Sequence, residues 1–268
     1  WKQALPCRLM SQRPTNLAKP KPLCVEAVAP AKRHDLGDGV TLFDFGRAAF
    51  GTIRLTVDAP QATIALVHLG EKLDDTGRID REPPGTIRYR AIELQLPAGK
   101  TTQQLVIPPD QRNTQGAAVL MPDDLFEVLP FRYAEIECDP TYISDVQQLA
   151  VFYPFNDDAA DFRCDDDRLN RIWDLCKYSI KATSFCGVYV DGDRERIPYE
   201  GDAYINQLCH YGVDAEYELA RHSLEYLLFH PTWPTEWSLH CVPMAWADYQ
   251  YTGNAELLEA YYDLLQRK

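Results

Sequence analysis

The sequence lacks several features that would fix its functional class at once. Its 268 residues contain no run of eighteen apolar residues, which argues against a membrane-spanning helix. G-x-S-x-G elbows, P-loops and dinucleotide-binding fingerprints are also missing, so the chemistry that these motifs serve is not expected. Lysine and arginine number 27 against 40 acidic residues, and this excess of negative charge argues against nucleic-acid binding.

Motifs for metals and disulfides are missing as well. Eight cysteines are present, but none forms a C-x-x-C pair, and no H-E-x-x-H motif occurs. We therefore expect no metal site, and we expect buried free thiols, with disulfides as the alternative. The first residues, WKQALPC, show no signal-peptide pattern, which leaves a removed leader or a piece of a longer protein as alternatives.

The first half of the chain has the hydrophobic pattern of strands. Residues 1–35 are rich in proline, lysine and alanine with little periodicity, and we expect an irregular lead-in there. Across 36–157, apolar and polar residues alternate, as in TIRLTV (52–57), IELQLP (92–97) and FRYAEIEC (131–138). Short alternating strands separated by turn residues predict an antiparallel β-sandwich domain, with a longer polar loop near 74–90.

The second half, residues 158–268, changes to helical spacing. In DDRLNRIWDLCKYSI (166–180) the apolar residues Leu169, Ile172, Trp173, Cys176 and Ile180 recur on one helical face, behind acidic residues that can cap the start. Further helices are predicted near 203–211, after Asp214 up to Pro231, up to Gly253, and behind Asn254 as an N-cap. We expect an array of helices that is unfinished at Lys268.

The stretch DGDRERIPYEGD (191–202) links two of these helices and gathers five carboxylates and two arginines. One interpretation is a surface loop whose charges pair with one another. The apolar FCGVYV before it, and the proline, tyrosine and glycine within it, favour a loop of defined shape instead. Carboxylates crowded together can keep one acid protonated for transfer to a leaving oxygen, as glycoside hydrolysis requires, if the arginines point away from that acid.

The segment RERIPYEGDA (194–203) resembles the signature R-E-R-x-x-W-x-G-D-A of bacterial α-L-rhamnosidases, glycoside hydrolase family 78. FDFGRAAFGTIRLTV (43–57) and PFRYAEIE (130–137) are similar to strands of the β-domain that precedes the family's catalytic barrel. FRCDDDRLNRIWD (162–174) and TEWSLHCVPMAWADYQYTGN (235–254) are similar to segments of that barrel. The order and spacing of these segments carry the resemblance over most of the chain.

The resemblance implies an inverting hydrolase with an (α/α)6 barrel and no metal or organic cofactor. It places the general acid at Glu195 and contacts to the rhamnose hydroxyls at Arg194 and Asp202. Tyr199 stands where the family has a stacking tryptophan, and Trp237 matches a further aromatic residue of the sugar pocket. The general base of the family is a glutamate later in the barrel, for which this chain offers no counterpart.

Three positions depart from the family pattern. Val190 occupies the place of an aspartate five residues before the acid, so either the loop is shifted by one residue or Asp193 or Asp191 takes that role in a different way. Tyr199 replaces tryptophan and Glu200 replaces a small residue, which predicts an altered pocket.

We therefore expect a β-sandwich followed by the first helices of an (α/α)6 barrel, acting on terminal α-L-rhamnosyl residues of a glycan or glycoside. The predicted site comprises Glu195 as acid and Asp191, Arg194, Tyr199, Asp202 and Trp237 as substrate-binding residues. Three alternatives stay open: a six-hairpin glycosidase for another sugar, a non-catalytic carbohydrate-binding protein or degenerate enzyme, and a structural fragment without activity. The compartment is open, and the resemblance favours a periplasmic or secreted location.

Overall fold

The structure is a computed structural model, and it describes residues 17–268. Within these residues, eight strands precede five α-helices and one 3-10 helix. The strands are β1 (Cys24–Val28), β2 (Lys32–Gly37), β3 (Val40–Ala59), β4 (Thr63–Gly70), β5 (Tyr89–Leu96), β6 (Gly99–Gln104), β7 (Leu129–Glu137) and β8 (Ile143–Phe152). The α-helices are α1 (Asp167–Thr183), α2 (Glu200–Tyr211), α3 (Glu218–Phe229), α4 (Cys241–Thr252) and α5 (Glu256–Leu265), and the 3-10 helix is Thr235–His240.

The β-domain is built around the long strand β3. The strands pair antiparallel in the order β1-β8-β3-β7-β4-β5, and β2 and β6 also pair with β3. The predicted alternation is confirmed in TIRLTV, where Ile53, Leu55 and Val57 are fully buried in the domain's main core. This sandwich-like domain, followed by the first helices of a helical barrel, confirms the predicted fold class.

A bulge interrupts β3 where it changes partners. Its pairing with β7 shifts register between Asp44 and Ala49, so residues 45–48 project from the ladder. Asp44 accepts a hydrogen bond from the backbone N–H of Gly46, whose φ of 82° is one that glycine adopts readily. The bulge faces α1, since the Tyr178 hydroxyl donates a hydrogen bond to the Ala48 carbonyl at 2.8 Å.

The expected lead-in at 1–35 is wrong for its later part, because β1 and most of β2 lie within it. Every residue of β2 is exposed, so the strand lacks the alternation that reveals a half-buried strand. Backbone pairing with β3 forms it instead. The rest of the lead-in, residues 1–16, lies outside the described residues.

The helices follow the sequence prediction closely, with one difference in kind. Asp166 caps α1 by accepting from the Arg168 N–H, Asn254 accepts from the Glu256 N–H before α5, and Gly253 ends α4 with a φ of 68°. The helix predicted to end at Gly253 starts as a 3-10 turn and becomes an α-helix only at Cys241. No helix among residues 17–268 is long and apolar enough to cross a membrane.

The predicted apolar face of α1 is only partly buried. Ile180 is buried, whereas Leu169 and Ile172 each expose 48% of their surface. The helix contacts the β-domain through Tyr178 and Ala182, which pack near Ala49. The expectation of buried thiols is also only partly correct: the seven cysteines in the described part of the chain are free, but only Cys186 and Cys241 are buried.

Candidate active site

The acidic loop at 191–199 has a fixed shape. The chain before it is buried, with Phe185, Val188 and Val190 in a core shared with the β-domain. At the exit, the Asp191 N–H donates to the Ile197 carbonyl at 3.0 Å, and the Ile197 N–H donates to Asp191 Oδ1 at 3.1 Å. These two hydrogen bonds close a compact turn, and residues 192–196 form its tip.

Glu195 lies at this tip, with its side chain 39% exposed. The Tyr199 hydroxyl donates a hydrogen bond to Glu195 Oε2 at 2.6 Å, and Arg194 Nε lies 3.5 Å from Oε1. The expectation that both arginines point away from the acid is therefore wrong for Arg194, because the loop curls back and brings the two neighbours together. The guanidinium of Arg194 also supplies hydrogen-bond donors toward the adjacent space.

A cavity of about 560 Å³ opens beside the loop. Asp191, Arg194, Asp202 and Trp237 line it, so the structure brings four of the predicted substrate-binding residues to one place. Thr86, from the loop between β4 and β5, also lines it, so the β-domain contributes to the wall. Carboxylates, a guanidinium and an indole ring around one cavity are the groups that bind sugar hydroxyls and the apolar face of a sugar ring.

Tyr199 lies behind the cavity and does not form part of its lining. Its ring is buried and packs edge-on against Trp237, with 5.6 Å between ring centroids. Burial, with the hydrogen bond to Glu195, raises the pKa of Tyr199 to about 12, so the hydroxyl remains a donor to the carboxylate. In this position Tyr199 supports both Glu195 and Trp237.

Two carboxyl groups of the cavity are poorly solvated. Burial raises the pKa of Asp191. Its Oδ2 is buried, has no hydrogen-bond partner in the described part of the chain, and lies 3.5 Å from Arg194 Nε. Burial also raises the pKa of Asp202, against the opposing effect of Arg194. Ionised groups held this way interact strongly with a ligand that offers hydroxyl donors.

Asp193 and Arg196 fix the loop to the β-domain, a role that the sequence analysis missed. Asp193 pairs with Arg88 and accepts a hydrogen bond from Asn113 Nδ2 at 2.7 Å. Arg196 is fully buried, has a φ of 55°, and donates to Glu127 Oε1 at 2.8 Å. Of the two aspartates left open by the sequence, Asp191 therefore faces the cavity and Asp193 faces the β-domain.

Glu200 is also structural. It is fully buried, and it accepts hydrogen bonds from the Thr232 N–H at 3.1 Å and from the Thr232 hydroxyl. Glu200 does not line the cavity, so any effect of this residue on the pocket is indirect. It acts by anchoring the segment that leads to Trp237. Gly201 lies next to it under the indole, because a Cβ there would meet Trp237 at 3.6 Å.

One cluster outside the site contains three side chains of the types that bind metal ions. Atoms of His68, Glu135 and Glu137 lie within 4.8 Å of one another on β4 and β7. Arg78 and Arg81 pair with Glu135, and His68 Nε2 lies 2.9 Å from Glu137 Oε1. These partners already satisfy the carboxylates, and a cation would compete with two guanidiniums for them.

Two protein-family models match the chain. Residues 34–151 match the bacterial alpha-L-rhamnosidase concanavalin-like domain, and residues 157–267 match the bacterial alpha-L-rhamnosidase 6 hairpin glycosidase domain. Together these matches cover both the β-domain and the helices. No curated protein sequence matches the chain.

Solved rhamnosidase structures share the fold. A rhamnosidase from Klebsiella oxytoca with rhamnose bound has 15% identity and a TM-score of 0.65, covering 93% of this chain and 55% of that one. An alpha-L-rhamnosidase from Dictyoglumus thermophilum has 18% identity and a TM-score of 0.70, covering 90% and 27%. One from Streptomyces avermitilis, complexed with L-rhamnose, has 18% identity and a TM-score of 0.69, covering 92% and 24%.

The chain thus spans from about a quarter to just over half of the length of these structures. At such identities the likeness extends to the fold, and the two family matches add the assignment of both domains. The chain therefore belongs to the bacterial alpha-L-rhamnosidase family.

Proposed function

We propose that the protein containing this chain hydrolyses terminal α-L-rhamnosyl residues, with Glu195 as the general acid. The observation that carries the proposal is the position of Glu195. Its carboxylate accepts a hydrogen bond from the buried Tyr199 hydroxyl, and, although Glu195 is not part of the cavity lining, the adjacent Arg194 is. Glu195 then donates its proton to the glycosidic oxygen as the bond to the sugar breaks.

The residues that line the cavity bind the rhamnosyl unit of the substrate. Asp191 and Asp202 accept hydrogen bonds from its hydroxyl groups, Arg194 donates to them, and the face of Trp237 packs against the apolar side of the ring. Tyr199 orients the acid through its hydroxyl and positions the indole through its ring.

The proposal includes inversion at the anomeric carbon. An inverting enzyme needs a second carboxylate about 6.5–9.5 Å from the acid, with room between them for the attacking water. Following the family resemblance, we assign this base to a glutamate outside the 268 residues. None of these steps calls for a metal or an organic cofactor.

The direct test is an assay of the longer protein on an aryl α-L-rhamnoside, with the first-formed anomer of rhamnose followed by NMR. We expect release of β-L-rhamnose, which mutarotates afterwards. Release of the α-anomer first would contradict inversion, and absence of turnover together with binding of rhamnose would favour a carbohydrate-binding role.

A glycosidase for another sugar is the second candidate. It is favoured by Tyr199, which stands in place of the expected tryptophan and does not line the cavity. Parallel assays with aryl glycosides of other deoxy sugars and pentoses separate the two candidates. The fastest turnover of the rhamnoside would favour a rhamnosidase, and the fastest turnover of another glycoside would favour the second candidate.

A further inference from the structure

A second and larger cavity adjoins the candidate site. It has a volume of about 740 Å³ and lies between the β3 bulge and α1. Thr86, Thr183, Asp191 and Arg194 line both cavities, so the second opens directly from the first. We call it the interdomain cleft.

Five arginines line the interdomain cleft, and three of them are engaged. Arg88 pairs with Asp193, Arg132 binds both carboxylate oxygens of Asp44, and Arg194 lies beside Asp191 and Glu195. The other two, Arg47 and Arg171, are the ones whose charge is available to a ligand.

Arg47 and Arg171 stand on opposite walls. Arg47 projects from the bulge and lies over the ring of Tyr178, with 4.7 Å to the ring centroid. Arg171, on α1, donates a hydrogen bond from Nε to the carbonyl of Asp167 at 3.3 Å. Among residues 17–268, neither of them forms an ion pair, although the chain carries a net charge of −13.

The carboxylates of the interdomain cleft do not cancel these charges. Asp193 and Asp191 are opposed by the arginines named above, and Asp174 pairs with Arg163 at 3.3 Å. Burial raises the pKa of Glu71, which disfavours its ionised form. The floor between the charged walls is apolar and includes Ala49, Phe50 and Ala182.

We infer that the interdomain cleft binds a carboxylated sugar, a uronate unit, on the leaving-group side of the scissile bond. Guanidiniums bind carboxylates through paired, charge-assisted hydrogen bonds, and the apolar floor suits the C–H face of a pyranose. The shared wall with the first cavity lets one oligosaccharide occupy both. This inference rests on the proposed function, because the leaving group is defined by the bond that Glu195 cleaves.

The test compares two disaccharides that differ at one carbon. One carries rhamnose α-linked to a uronate, and the other carries the same unit with its carboxyl reduced to the alcohol. The native longer protein should cleave the uronate compound with a kcat/KM at least about tenfold higher than that for the reduced compound, because the reduced compound cannot form the charge-assisted hydrogen bonds. In the double variant Arg47→Gln, Arg171→Gln the ratio should fall to about one.

Arg168→Gln is the matched control, because Arg168 is exposed on the same helix and does not line the interdomain cleft, and it should keep the native ratio. Equal rates on both disaccharides in the native protein, or a ratio that survives the double variant, would overturn the inference. A higher kcat/KM for a disaccharide with a sulfate ester in place of the carboxylate would also overturn the inference, because it would assign the interdomain cleft to sulfated sugars.

Failure of the proposed function gives a different pattern. In that case an aryl α-L-rhamnoside, which has no uronate, is not turned over. Calorimetry with the uronate disaccharide and its reduced partner then still tests the interdomain cleft, since binding that requires both the carboxyl group and the two arginines does not depend on turnover. Equal binding of the two compounds would overturn the inference there too.

Discussion

At the scale of single residues, the candidate site places poorly compensated charges where a ligand would meet them. Asp191 shows this most clearly, since its Oδ2 is buried with no hydrogen-bond donor among residues 17–268 and burial raises its pKa. A folded-state pKa above the ordinary value of 3.8 means that the folded chain binds more protons than the unfolded chain. The ionised Asp191 therefore lowers stability, and this effect grows as the pH rises through and above that value.

The substitution Asp191→Asn should accordingly stabilise the protein at pH 7 while lowering its activity. Asparagine keeps the oxygen that accepts from the Ile197 N–H and removes the buried charge. We expect the melting temperature to rise on the order of 2 °C at pH 7 and the gain to shrink toward pH 3. Calorimetry at the two pH values checks this, with the exposed Asp124→Asn as control; a lower melting temperature at pH 7 would contradict it.

The sequence identified most of these residues but not their orientations. Glu195, Arg194, Asp202 and Trp237 follow from the resemblance of local motifs, and the structure places the last three at one cavity. The choice between Asp191 and Asp193 depends on Arg88 and Asn113, and the nearer of these two, Asn113, lies 80 residues before Asp193 in the sequence. Partners at such separations leave no trace in a local motif, so this choice required the fold.

At the scale of elements, the acidic loop is held by the β-domain as much as by the helices that it joins. Arg196 is buried, and within residues 17–268 its Nε and Nη1 have no hydrogen-bond partner, while its Nη2 lies 2.8 Å from Glu127 and 3.5 Å from Asp193. A buried charge that loses its partner is costly, which makes the pair of Arg196 with Glu127 a sensitive point of the loop.

We predict that Glu127→Gln destabilises the protein by about 3 kcal/mol and lowers kcat more than it raises KM. The cavity residues would all remain present, but the loop that carries Glu195 would be less firmly held, so the Glu195 carboxylate would be less well positioned for proton transfer. Denaturant unfolding and steady-state kinetics measure the two effects. Glu82→Gln, on an exposed loop, serves as the control, and an unchanged kcat would show that the pair supports folding alone.

Elements with a strong periodic pattern were predictable, and those formed by pairing alone were not. The alternation within β3, β5 and β7 and the capping of α1 were readable from the sequence, because side-chain burial and capping are local or periodic. The fully exposed β2 was not, and neither was the 3-10 turn before Cys241, which is continuous with α4 in its hydrophobic spacing.

At the scale of the whole molecule, stability should depend on pH through two histidines, of which His68 is buried and His222 is half-buried. Burial lowers the pKa of His68 on β4 and of His222 on α3 below the ordinary value of 6.5. The unfolded chain then binds more protons than the folded chain, so stability is present above this value and is lost as the pH falls below it.

We therefore expect the free energy of unfolding to decline between pH 7.5 and pH 5.5. The decline should be shallower in His68→Gln and in His222→Gln than in the native protein, even if either substitution lowers stability overall. Urea unfolding across this range provides the slopes, with the exposed His34→Gln as control. A slope that neither variant changes would show that other groups govern the dependence.

The central claim, that Glu195 donates the proton, is tested most directly by varying the leaving group. In the longer protein, Glu195→Gln should lower kcat/KM by about a hundredfold or more on a rhamnoside with a poorly acidic leaving group. On an activated aryl rhamnoside, whose leaving group needs no proton, the loss should be much smaller. An equal fall in kcat/KM on both substrates would contradict the assignment of Glu195 as the general acid. So would an unchanged kcat/KM on the rhamnoside with the poorly acidic leaving group.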